Sequence, residues 1–242
     1  MIHYNRKKNQ KRGFTLIELL VVIAIIALLL AILMPALNAV KKHAHAVICL
    51  SNQKQIGVAA GLYAGDYRDW IPRGDEDGKM IWYQCFLPYI GRDRDMVDLT
   101  SLKIYRCGAY PKNGSGSNNI PNSRQVVCYV INAWTGLSNK EAVATKTTRF
   151  KSPSSKVYLA DNEAGPWRPV IETLQVSDPT ITRRNDVYYA GHLPSSTNET
   201  SHTDGRRIAK DRHADGCNML FLDWHAEQVK AKDITMRMFR EK

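Results

Sequence analysis

From Phe14 to Met34 the chain is apolar at every position except Thr15 and Glu18. A run of about 20 apolar residues is the length a helix needs to cross roughly 30 Å of hydrocarbon, so this segment is predicted to span a membrane as a helix over residues 14–35. Arg6, Lys7, Lys8, Lys11 and Arg12 precede it, whereas Lys41 and Lys42 are the first basic residues after it. The denser cluster is N-terminal, which by the positive-inside tendency holds the head in the cytoplasm and sends the chain beyond about residue 36 outside. A secretory signal cut near "PALNA", Pro35 to Ala39, is the competing reading. The run is longer than the roughly 7 to 15 residues of a signal core, which favours retention. A plain anchor accounts for the length but leaves Gly13, Phe14 and Glu18 without a purpose, and a carboxylate facing lipid is costly.

Those three residues fall in "RGFTLIELLVVIAIIALLLAILMPAL", Arg12 to Leu37. The stretch resembles the signal of type IV pilins and type II secretion pseudopilins: basic leader, Gly, Phe, Thr-Leu-Ile-Glu, apolar helix. The resemblance implies that residues 1–13 are a cytoplasmic leader and that a prepilin peptidase cuts between Gly13 and Phe14 and methylates the new amine. It also implies a helix-kinking proline at Pro35, where a backbone hydrogen bond is lost. Glu18 then acquires a partner, the Phe14 amine of a neighbouring subunit, and acts as a register device for assembly. A buried charge is tolerable when paired and heavily penalised alone.

Beyond Pro35, Leu37, Val40, Ala44, Val47, Ile48, Ile56, Ala59, Leu62 and Tyr63 recur at helical spacing between polar positions. They predict an amphipathic continuation over residues 36–67. Gly57, Gly61 and Gly65 repeat every fourth residue, which outside a membrane is read as close packing against a sheet. Residues 68–242 change to short β-rich pieces. Strands are expected at Lys103–Cys107, Val126–Asn132, Lys156–Ala160, Val187–Ala190, Asn218–Asp223 and Ala226–Val229. Met80–Gly91 reads as a short helix on the core, and Pro111–Ser123 and Pro194–Arg207 read as exposed loops. No internal repeat and no linker marks a second globular domain. The fold class is α+β, a pilin-like long N-terminal helix packed on an antiparallel sheet.

A second resemblance runs through "CLSNQKQIGVAAGLYAGDY", "KIYRC", "CYVIN", "VYLADN" and "RHADGCNMLFLDWHAEQV". In this order they look like pseudopilin-like proteins of the secretion protein G-like kind, which end in a signature of His, nine residues, Asp-Gly. His213 and Asp223 hold that spacing, but Trp224 stands where the pattern has glycine. A two-residue primed turn wants positive φ, so Trp predicts a looser or shifted turn. Asp215-Gly216 is the hairpin signal before the last strand pair.

Chemistry is sparse. His213, Asp223 and His225 are metal-ligand types, with His192, His202 and Asp161 as further candidates for calcium or a transition metal, but no tight ligand motif is present. Cross-strand hydrogen bonding of His213 and Asp223 is the structural alternative. Residues Gly65–Gly78 are acidic without the spacing of an EF-hand loop, and read as a solvated loop. No nucleophile motif, phosphate-cradling loop or dinucleotide fingerprint argues for an enzyme, and no resident cofactor is expected. Cys49, Cys85, Cys107, Cys128 and Cys217 suit an exported domain where bridges persist, but their pairing is not readable and an odd number leaves one free.

The net charge of +11 falls to +6 (11 − 5) once the leader's five basic residues are removed. Arg183, Arg184, Arg206, Arg207, Lys210 and Arg212 remain, and are read as a solvated surface with nucleic acid an unlikely partner. The sequence therefore predicts a non-enzymatic subunit of a type II secretion pseudopilus or type IV pilus-like filament. Its expected partners are like or related pilin subunits, the prepilin peptidase and an inner-membrane assembly platform. It would sit single-pass in the inner membrane with a periplasmic C-terminal domain. An adhesive or DNA-binding minor pilin and a metal-binding envelope protein on a pilin-type anchor are the alternatives.

Overall fold

The computed structural model describes residues 14–73, 82–94, 101–110, 127–134, 144–163, 186–187, 189–197 and 205–241. The leader, Gly13, His202, Arg183, Arg184, residues 74–78 of the acidic stretch and the expected loop from 111 to 123 lie outside them. The chain divides into two compact units, Met1–Lys41 and Lys42–Lys242, with one helix, α1 (Leu16–Asp66), running through the boundary and through Pro35.

Within the first unit every residue from Phe14 to Lys41 is exposed, so its apolar side chains have no core of their own. Among the described residues this is the one helix long and apolar enough to cross a membrane. In the second unit α1 buries Cys49, Gln53, Ile56, Gly57, Ala59, Ala60, Tyr63 and Ala64. Of the expected apolar face, Ile56, Ala59 and Tyr63 are buried, while Val47, Ile48 and Leu62 remain exposed. The buried stripe also carries the small residues Cys49, Gly57, Ala60 and Ala64, which let the helix lie close to the sheet.

The body is built from β1 (Trp70–Pro72), α2 (Trp82–Cys85), β2 (Tyr129–Asn132), β3 (Ala144–Lys146), β4 (Val157–Asp161), β5 (Asp186–Val187), β6 (Gly216–Phe221) and β7 (Ala226–Lys230). The main sheet has the order β5-β2-β4-β6-β7, antiparallel except for the parallel β2–β5 pair, and β1 and β3 form a separate antiparallel pair. Strands β2, β4 and β6 are buried along their whole length because both faces are covered. One face meets α1 through Tyr129, Ile131, Leu159 and Leu220; the other carries Val130, Ala160, Met219 and Phe221 under Ile234 and Phe239. A register shift between Val157 and Leu159 puts the consecutive Tyr158 and Leu159 in the same cluster, the bend a β-bulge produces.

Three expectations are corrected. Lys103–Cys107 is no strand: Lys103–Tyr105 is a 3-10 turn that sends the buried Tyr105 hydroxyl to the Tyr83 carbonyl at 2.8 Å. Val187–Ala190 shrinks to β5 followed by a 3-10 turn at Ala190–His192. The pair β1 and β3 was not anticipated, since three residues carry no readable period.

An unexpected polar anchor joins these pieces. Arg73 is fully buried, and donates to the Asn132 carbonyl at 2.9 Å, Thr145 Oγ1 at 3.1 Å and Glu241 Oε1 at 2.9 Å, with Phe150 stacked 4.7 Å from the guanidinium. Burial pulls its pKa down to about 10, against the raising influence of Glu241, so it stays charged at neutral pH.

Candidate functional site

Two parts of the chain hold residues that sequence reasoning singled out, and each is organised differently. At the head of α1, Thr15 precedes the first helical residue and Glu18 is the third residue inside. The Thr15 amide and hydroxyl donate to Glu18 Oε2 at 2.9 and 2.8 Å, and the Glu18 amide donates to Thr15 Oγ1 at 3.3 Å. This is a capping box, in which a threonine and a glutamate three residues apart satisfy the free amides of a helix start reciprocally. The carboxylate also lies at the positive end of the helix dipole. Glu18 is thus held locally, which "TLIE" announces in sequence but the assembly reading passed over. Among the described residues its second oxygen, Oε1, carries no hydrogen bond.

The C-terminal residues separate into two groups. His213 precedes β6 and Asp223 and His225 follow it; a six-residue strand at about 3.3 Å per residue keeps its ends about 20 Å apart. The expected trio is therefore not brought together, nor does His213 bond across to Asp223. Asp223 and His225 sit half-exposed in the β6–β7 turn, where Asp223 Oδ1 accepts from the His225 amide at 3.2 Å and meets its Nδ1. The His225 ring stacks on Phe221 at 4.4 Å. Partial burial works against the Asp223 charge, but these bonds to His225 outweigh it and hold its pKa below the usual carboxylate value.

Trp224 explains the missing glycine. The turn is looser, a three-residue loop Leu222–Trp224, with the Trp224 amide donating to the Phe221 carbonyl at 3.0 Å and Trp224 itself at φ +71°. Type I turns closed by a left-handed residue are a standard three-residue hairpin. The indole is placed by packing: it meets Tyr158 edge-on at 5.6 Å, and a Cβ on Gly61 would come within 3.2 Å of it. A Cβ on Gly57 would sit 2.8 Å from Leu220 Cδ1, whereas Gly65 has nothing within 4 Å. Two of the three spaced glycines thus serve close packing. The other hairpin signal is displaced by one residue, with Ala214 and Asp215 at positive φ and Gly216 already opening β6.

His213 belongs to a buried polar cluster. Its Nε2 is 3.4 Å from Cys107 Sγ and 3.4 Å from Asp161 Oδ2. Asp161, at the end of β4, also accepts from the Asn218 amide at 2.7 Å; Gln53 of α1 donates to the Asn218 carbonyl at 3.0 Å. Arg212, partly buried, donates to the Asn162 carbonyl and lies 4.5 Å over the Tyr110 ring. Burial raises the Asp161 pKa, with Arg212 and His213 opposing. For His213, burial works against the charge, but the Cys107 hydrogen bond and the Asp161 carboxylate outweigh it and raise the pKa. Both neighbours address the same ring nitrogen and, among the described residues, Nδ1 has no partner, so Cys107, His213 and Asp161 do not form a relay in which the carboxylate orients the far nitrogen of a base. Among the described residues, those able to hold a metal are Cys49, Cys107 and His213, whose ligand atoms lie within 4.8 Å of one another. No motif could have found them, because each comes from a distant part of the chain.

The basic residues do not make the solvated surface expected of them. Arg206 is buried and paired with Glu163 at 2.6 Å, Arg207 is buried, Arg212 lies over Tyr110, and only Lys210 of the described set is exposed.

Residues 8–34 match the family model of the prokaryotic N-terminal methylation motif. The chain thus carries a prepilin-type signal, of the kind found in type IV pilin-like proteins, with processing by prepilin peptidase as its general consequence. No curated protein and no solved structure gives a significant match to the chain.

Proposed function

We propose that this chain is a structural, non-enzymatic subunit of a filament of the type II secretion pseudopilus or type IV pilus class. One observation carries the reading: the methylation motif opens onto a helix whose residues from Phe14 to Lys41 are all exposed. Apolar surface on that scale is stable only in lipid or against other copies of itself. Cleavage between Gly13 and Phe14 would place a new positive amine next to the Thr15–Glu18 cap. Glu18 Oε2 is engaged by Thr15, and Oε1 is available to the amine of a neighbouring Phe14 as helices pack side by side. The anchor would sit single-pass in the inner membrane, with the body on the periplasmic side. Among the described residues the DNA-binding alternative finds less support, since Arg206 and Arg207 are buried and Arg212 lies over Tyr110.

Intact mass measurement of the protein produced beside a prepilin peptidase tests this. The expected product begins at N-methylated Phe14. A product beginning at residue 39 or 40 would show an ordinary secretory signal and overturn the reading.

A further inference from the structure

The three contacts where α1 meets the segment after Lys103–Tyr105 fall in order. A Cβ on Gly108 would sit 2.5 Å from His45 Nδ1; the Cys49 and Cys107 sulfurs lie within 4.8 Å of each other; and Asn52 Nδ2 donates to the Arg106 carbonyl at 3.0 Å. Residues 45, 49 and 52 share one face of a helix, and 108, 107 and 106 cross it in the reverse direction. The cysteine pair is at the centre, with a close backbone approach on one side and a hydrogen bond on the other. Both thiols are buried, at 0% and 4% exposure.

We propose that Cys49 and Cys107 form a disulfide in the mature protein, stapling the helix to the β-rich body. It rests on the exported reading above, because such bonds persist in an oxidising compartment. The alternative use of the same atoms, a metal centre, is less well provided for. Among the described residues the ligand set has three members, and structural zinc takes four. The Arg212 guanidinium bears on the Cys107 thiol, an unfavourable neighbour for a dication held by that sulfur. A neutral S–S bond meets neither difficulty. The two thiols lose two protons and two electrons to the disulfide of an oxidised dithiol donor; one S–S bond forms here, one breaks there, and the donor leaves as two thiols. Oxidation belongs to the folding stage, since the neighbouring Cys49 thiol and burial raise the Cys107 pKa, and burial closes access in the folded body.

The test uses the full chain, recovered from exporting cells in the presence of N-ethylmaleimide and digested without reductant. The expected result is one peptide pair joining Cys49 to Cys107, two hydrogens lighter than the free forms, with Cys85, Cys128 and Cys217 alkylated. The link is retained in Cys128→Ala and lost in Cys107→Ala. In a second arm the purified chain is reduced in denaturant and refolded into detergent with oxidised glutathione. Closure there but free thiols in cells would sustain the pair and overturn the exported reading. No Cys49–Cys107 link in either arm, or a link through Cys128, would overturn the pair. One equivalent of zinc, with both thiols free after chelation, would overturn it in favour of a metal centre.

Discussion

The two halves of α1 use the same secondary structure for opposite ends. From Thr15 to Lys41 nothing is buried, and among the described residues the only side-chain bonds are those of Thr15 and Glu18 within one turn. From Cys49 to Ala64 the helix buries Ile56 and Tyr63 among mostly small or polar residues, and Asn52 and Gln53 reach backbone carbonyls more than 50 residues away. A helix that must meet lipid or other copies presents large apolar side chains all round. One that must lie on a sheet removes them from one stripe. Hydropathy separates the two halves along the chain, and the small residues among those facing inward let the second lie close to the sheet.

The sharpest break in this comparison separates the two roles of the helix head. Glu18→Gln keeps the capping box, since Gln serves at that position, but removes the charge. Filaments should be lost while the helix content of the detergent-solubilised monomer is unchanged. Thr15→Ala should do the reverse, loosening the first turn and sparing assembly. A Glu18→Gln protein that assembles normally, scored by electron microscopy of sheared filaments, removes the register role.

Within the body, the next largest effect is expected at Arg73. Arg73→Met leaves Glu241 poorly compensated in a buried site and strips two backbone carbonyls of a donor, a loss of about 3 to 5 kcal/mol in a denaturant melt. The first half of α1 should not register it. Gly57→Ala is smaller, about 1 to 3 kcal/mol, because its methyl meets Leu220 and the Trp224 carbonyl. Gly65→Ala, in the same row but facing open space, should be neutral or stabilise by up to about 1 kcal/mol. Equal costs at the two positions would refute the packing assignment.

The smallest effect concerns pH. His213 has a folded pKa above its ordinary 6.5, so the native state holds more protons than the unfolded chain just above that pH. Its contribution is complete below about pH 6.5 and is lost as pH rises through the raised value. Asp161, raised above its ordinary 3.8, acts in the same direction at lower pH. Melting temperature should fall on going from pH 6 upward, and His213→Gln should flatten that slope.

Legibility followed the range of the interactions. Strands β2, β4 and β6 are readable as largely apolar runs, β7 as a short β-rich piece after the turn, and α2 from its aromatic content. Lys103–Cys107 misled because a short apolar run looks the same whether it pairs with a neighbour or turns to bury Tyr105. The metal candidates were grouped by a nine-residue spacing that β6 stretches out, so His213 found Cys107 and Asp161 in place of Asp223. Arginines taken for surface were buried because Glu163, the Asn162 carbonyl and Tyr110 lie against two of them in space, not in sequence.

What the sequence determined by itself is the head of the molecule. An apolar run and a threonine three residues before a glutamate act within one turn or along one helix, so no fold is needed to interpret them. Only the tertiary structure decided that Trp224 occupies a left-handed turn against Gly61, and that Cys49 meets Cys107 beside His213. Those contacts join residues separated by more than 50 positions, and no local spacing encodes which of several apolar or polar partners the packed sheet will bring together.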